Sequence, residues 1–165
     1  MQWTSTAMAN ELFRSMAKWT RPDIVISGYP EYGTNPDMLD SNQRRDLTCA
    51  ANMIVRSLST MHPVRAFLVV GHADKALRKP LNERAAFEQE VSQQRADAGR
   101  EALLREMVRL AGGPAIRRMV DHAAIGIGNL RPVCANAASE AQMRQNRRIE
   151  IVFARALVCP PRCGT

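Results

Sequence analysis

The stretch AFLVV, residues 66–70, constrains the fold more than any other part of the chain. A strand with one wet face alternates apolar and polar side chains. This one does not, so the strand over 64–70 is covered on both faces and runs inside a sheet. It stops at Gly71, and His72 and Asp74 follow at once. Two titratable groups at the mouth of a buried strand mark a candidate site.

The remaining elements arrange themselves around that strand. DIVISG, residues 23–28, has the β-branched content of a second strand. YPEYGTNP carries Pro30, Gly33 and Pro36 and reads as a loop. Asp40 and Gln43 have capping-box spacing, and Leu47, Ala51, Ile54 and Leu58 then fall on one helical face, ending at Pro63. Cys49, on the flank of that stripe, reads as a small buried hydrophobe. Residues 75–90 are polar and charged, with Pro80 among them. A long helix is predicted from about Ser92 to Ala111, with Leu103, Met107 and Leu110 as its buried stripe and Gly112, Gly113 and Pro114 as its stop. HAAIGIG is a third strand. RRIEIVFAR is a fourth, with Ile149, Ile151 and Phe153 on one face. Strand, helix, strand, helix, strand, strand is an α+β sandwich: a mixed four-stranded sheet with helices packed on one face.

A chain of 165 residues is enough for one domain with a real core. Residues 23–156 form that domain. Residues 1–22 read as a leader with a short helix over Asn10–Trp19, and 157–165 as a Cys/Pro tail. The net charge of +7 favours anionic partners, while an aromatic content of 5% argues against a base-stacking nucleic-acid platform. No apolar run is long enough for a transmembrane helix, and the N-terminus lacks the continuous apolar core of a signal peptide. The protein either stays inside the cell or is a mature form whose leader is missing. Cys159 and Cys163 could close a small loop, Cys49 and Cys134 lie far apart, and the pairing is open. Neither zinc-ligand spacing nor a G-x-S-x-G nucleophile elbow is present, and no metal, cofactor or catalytic residue is expected.

Three stretches, in order, are distinctive: VVGHAD at 69–74, VSQQRADAGREAL at 91–103, and GIGNLRP followed by QMRQNRRIEI between 126 and 151. Together they resemble the OmpA-like C-terminal domain of bacterial envelope proteins, whose pattern is G-H-T-D, L-S-x-x-R-A, G-x-G-x-x-x-P and N-R-R-V-E-I. The resemblance covers residues 64–153 well and 23–60 loosely. It implies a non-catalytic domain that binds peptidoglycan through the diaminopimelate of the stem peptide. The place implied is the periplasm or the outer membrane of a Gram-negative cell, with other envelope proteins as further partners.

By motif, Asp74 takes the diaminopimelate ammonium and Arg95 its carboxylate, helped by free backbone N–H groups at a helix start near Ser92. Asn146 and Arg147 brace the pocket, with Arg147 also within reach of ligand carboxylate, and His72 stands beside it. Each of these also has a bland reading: Asp74 as a turn cap, Arg95 as a solvated helix residue, His72 as a structural strand-end histidine, Arg147 and Arg148 as strand-edge cations.

The chain departs from the family pattern in three places. Ala73 replaces the family threonine. The stretch from Asp74 to Arg95 is longer and rich in Lys75, Arg78, Lys79 and Arg84. Glu88 stands where the family has asparagine, which predicts a negative charge near the ligand carboxylate. Residues 75–87 are expected to be loose or to form a short extra helix against the pocket rim. The alternative reading is an OmpA-like fold that has lost peptidoglycan affinity and serves as a protein–protein module. A polyanion binder driven by the net charge is a third.

Overall fold

A computed structural model describes residues 21–155. The leader helix and the tail cysteines, Cys159 and Cys163, lie outside the described residues. Four strands form one sheet: β1 (Ile24–Ser27), β2 (Val64–His72), β3 (Asp121–Gly126) and β4 (Arg148–Arg155), in the order β1-β4-β2-β3. β2 is parallel to β3 and antiparallel to β4, and β4 is antiparallel to β1. The unbroken apolar strand is therefore interior in the strand order, but the expected cover on both faces is not found: Phe67 and Val69 are buried, whereas Ala66 and Leu68 on the opposite face are partly exposed. The sheet is mixed, and the α+β class predicted from the sequence holds.

Two helices cover one face. α1 (Ser41–Ser57) begins at the Asp40–Gln43 capping box, and Leu47, Ala50, Ala51 and Ile54 form its buried stripe. Cys49 is exposed, not buried: two residues from Leu47, it falls about 200° round the helix from the stripe. α2 spans Leu81–Ala111, 31 residues, and ends at Gly112 in the left-handed conformation. A third helix, α3 (Glu140–Asn146), sits in the β3–β4 connection, where the sequence reading had only a loop. It starts at a second capping box, made by Ser139 and Gln142. On the helix-covered face, Phe67, Val69, Ile149 and Ile151 join Leu103 and Met107 in one core.

α2 begins eleven residues before the predicted start at Ser92. Residues 81–91 are rich in Ala, Glu, Gln and Arg, so helix propensity runs straight through the motif boundary. Ser92 lies mid-helix, its hydroxyl donating to Gln89 O at 2.8 Å. Its backbone offers no free N–H groups to an anion. Residues 75–80 form a pinned turn and 81–87 are the first turns of α2, so the insert is helical for half its length but is not a separate helix.

α2 approaches the sheet very closely. A Cβ on Gly71 would lie 1.9 Å from Ser92 O, and one on Gly126 would lie 2.3 Å from the Gln93 backbone nitrogen. Both positions therefore require glycine. The contact is sealed by polar side chains: Gln93 Oε1 accepts from Gly126 N at 2.8 Å, and Ser92 Oγ accepts from Gly128 N at 2.8 Å. The first glycine of the G-x-G in the third motif, Gly126, thus serves helix–sheet packing, while Gly128 supplies a left-handed backbone with φ 58°.

Candidate functional site

The end of β2, the turn after it and the β3–β4 connection meet at one corner of the sheet. There Asp74, Lys75, Asn129, Cys134, Met143 and Asn146 line a small notch with about 20 Å³ of enclosed space, close to the room one water needs. Any larger ligand group must lie across its mouth.

Asp74 is largely covered, with 13% of its side chain exposed, and its carboxylate lies 3.6 Å from Arg147 Nη1. Burial pushes its pKa above the ordinary aspartate value, and the charge of Arg147 opposes this without cancelling it. Its ionised form is thus under-compensated. Asn129 Oδ1 is buried and has no hydrogen-bond partner among the described residues. Two acceptors, one of them anionic, therefore line the same notch. Asn146 shapes its wall: its side-chain oxygen accepts from Cys134 N at 2.9 Å and its amide donates to Cys134 O at 3.0 Å.

Arg147 is 1% exposed and lies behind Asp74, also paired with Glu140. Arg95 is deeper still. It is 0% exposed, so the expected helix-start position at the surface is not found. Its Nε and Nη2 donate to Gly33 O at 3.0 and 2.7 Å, its Nη1 donates to His72 O, and its guanidinium lies 4.9 Å from the centre of the Tyr29 ring. Burial pulls its pKa down to about 10, so it stays charged at neutral pH. Arg95 clamps the 29–33 loop to the end of β2, two residues before Asp74.

His72 points to the opposite face of the sheet from Gly71. It is 1% exposed, with Nε2 3.2 Å from Glu150 Oε2 but not aligned as a hydrogen bond. Arg148 donates from Nε and Nη2 to Glu150 Oε1 at 2.9 and 2.7 Å, and Arg131 Nη1 lies 3.7 Å from Glu150 Oε2. Burial holds His72 below its usual pKa. For Glu150, burial alone would raise the pKa; His72 and Arg148 outweigh it and bring the value to about 2. This is a buried ionic cluster, separate from the notch.

Glu88 does not face the notch. Its carboxylate accepts from Ala76 N at 2.8 Å and so tethers the turn after Asp74. The repulsion predicted for it is replaced by a structural role. Sequence reasoning missed Asn129 and Lys75. Asn129 falls at an unspecified position of the G-x-G-x-x-x-P pattern, and Lys75 is one cation among several in the insert. Among the described residues no group of His, Cys, Asp and Glu could hold a metal ion, and no helix is long and apolar enough to cross a membrane.

No protein-family model and no curated protein matches the chain. Solved structures do. The peptidoglycan-associated lipoprotein from Burkholderia pseudomallei is similar with a TM-score of 0.55 at 20% identity, over 80% of this chain and 91% of that one. The periplasmic domain of Helicobacter pylori MotB gives a TM-score of 0.52 at 18% identity, over 81% and 75%. The strand order, the α2 crossover and these two likenesses agree with the three motifs: the chain has the OmpA-like fold.

Proposed function

We propose that this chain grips peptidoglycan without catalysis, through the diaminopimelate of the stem peptide, and so anchors itself or a partner to the cell wall. The observation that carries the reading is the pair of acceptors at the notch: the under-compensated carboxylate of Asp74 and the unpaired Asn129 Oδ1. An ammonium supplies hydrogen-bond donors and a positive charge at once, which is what both acceptors lack. The motif resemblance supports the same ligand, and one structural neighbour is by name a peptidoglycan-associated lipoprotein. In this reading Asp74 touches the ligand and Asn146 walls the site. Arg147 holds Asp74 and Arg95 holds the strand end, while His72 belongs to the separate Glu150 cluster. The setting is the periplasmic side of the cell envelope.

Co-sedimentation of the full chain with purified diaminopimelate-type sacculi tests this. The parent should pellet with the sacculi and Asp74→Asn should stay in solution, with unchanged far-UV circular dichroism. A parent that folds but never pellets leaves the protein–protein module as the better reading. An Asp74→Asn variant that pellets like the parent removes the notch from the account.

A further inference from the structure

We infer that Lys75, not Arg95, takes the ligand carboxylate at the Asp74 notch. The inference rests on the diaminopimelate reading above. The side chain of diaminopimelate ends with an ammonium and a carboxylate on one carbon. A site that seats the ammonium on Asp74 therefore needs a cation within side-chain reach of it.

The structure leaves few candidates. Arg95 is fully buried and three of its N–H groups are spent on Gly33 O and His72 O. The notch holds about one water, so a ligand head rests on the rim and does not reach the floor. Arg147 is covered and already shared between Asp74 and Glu140. Arg144 donates to Gly28 O.

The cations of the insert have separate fates. Arg78 pairs with Glu31 at 3.5 Å, Lys79 lies over the Phe87 ring at 4.5 Å, and Arg84 donates to Lys79 O and Leu77 O. Lys75 lines the notch beside Asp74, and its ammonium has no partner among the described residues.

The turn that carries Lys75 is held from several sides. Ala76 N donates to Glu88, Leu77 N donates to Lys75 O at 2.9 Å, and Lys79 N donates to Ala76 O at 3.0 Å. The long insert and Glu88 thus acquire a purpose: they fix the backbone that presents a rim cation. An anion on Asp74 and a cation on the next residue match a zwitterionic head. A lysine ammonium is a compact point charge, so the site should read the charge of the carboxylate more than its shape.

The test uses the full chain and two muropeptides, identical except that the diaminopimelate side-chain carboxylate is free in one and amidated in the other. The parent should prefer the free acid by about five- to tenfold, the scale of one partly exposed ion pair. Lys75→Met should lose that preference and bind both peptides at the amidated level, while Lys75→Arg should keep it. Thermal melts should be alike for all three proteins, because the Lys75 ammonium has no partner among the described residues and its backbone contact is kept by either substitution. If Lys75→Met retains the parent's preference, or the parent ignores amidation, the carboxylate assignment is wrong while the Asp74 grip stands. If the parent binds neither peptide, the diaminopimelate reading itself fails and this inference falls with it.

Discussion

Replacing Arg95 with methionine should loosen the strand end that carries the site. Methionine has similar length and fills the same channel beside Tyr29, so the change isolates the guanidinium. Two buried carbonyls, Gly33 O and His72 O, then lose their donors. Each buried acceptor left unpaired costs about 1–3 kcal/mol. The sum is about 2–6 kcal/mol, reduced because an expensive buried cation also leaves. A net loss of about 3 kcal/mol is expected. With a urea dependence of about 2 kcal/mol per molar, the unfolding midpoint should fall by about 1.5 M, read by far-UV circular dichroism. Arg95→Lys should fall between, because an ammonium keeps the charge but cannot reproduce the planar fork. The same loss removes a positive neighbour of Asp74, so the Asp74 pKa should rise further. A methionine variant that melts with the parent would refute the clamp and return Arg95 to the surface role that its motif implies.

Three further outcomes follow from the geometry. Gly126→Ala should destabilise by about 1–3 kcal/mol, since the added methyl would lie 2.3 Å from the Gln93 backbone nitrogen and 2.5 Å from Ser92 Oγ; equilibrium denaturation checks it, and a neutral effect would contradict the close approach. Ligand affinity should fall with acid at a higher pH than an ordinary aspartate would give, because Asp74 must be ionised and its pKa is raised; titrations between pH 4 and 7 check it. Stability should erode in two stages on acidification. His72, held below its ordinary 6.5, takes up its proton in the unfolded chain first, so stability declines as pH drops below about 6.5; Glu150, at about 2 in the fold against 4.5, contributes stability that is lost from about pH 4.5 towards 2. His72→Gln should remove the first stage and also narrow the second, because His72 is one of the groups that lower the Glu150 pKa; melts across pH would show both changes.

The parts of the fold that were legible in the sequence are those set by neighbours along the chain. The capping box at Asp40 and Gln43, the stripe from Leu47 to Ile54 and the Gly112 stop all depend on residues within a turn or two. The interior position of β2 was legible because an unbroken apolar run has few other solutions. The start of α2 was misplaced because the R-A motif, not the helix-forming run from Leu81, was given the boundary. The burial of Arg95 was invisible for a different reason. Its partners are backbone carbonyls 62 and 23 residues away, and carbonyls leave no mark in a sequence. Cys49 was misjudged by position on the helix wheel. Asp74 and Asn146 do meet at one notch, as their motifs imply, but Asn129 joins them only through the turn after β3.

The central claim is that the notch recognises diaminopimelate. Isothermal titration of the full chain with a diaminopimelate-type muropeptide and its lysine-type counterpart, at one salt concentration, addresses it directly. The two ligands share the ammonium and differ in the adjacent carboxylate. The account predicts binding to the first and at least about tenfold weaker binding to the second, a difference of about 1.4 kcal/mol. Equal affinity for the two, or no binding to the diaminopimelate form by a folded protein, would contradict it.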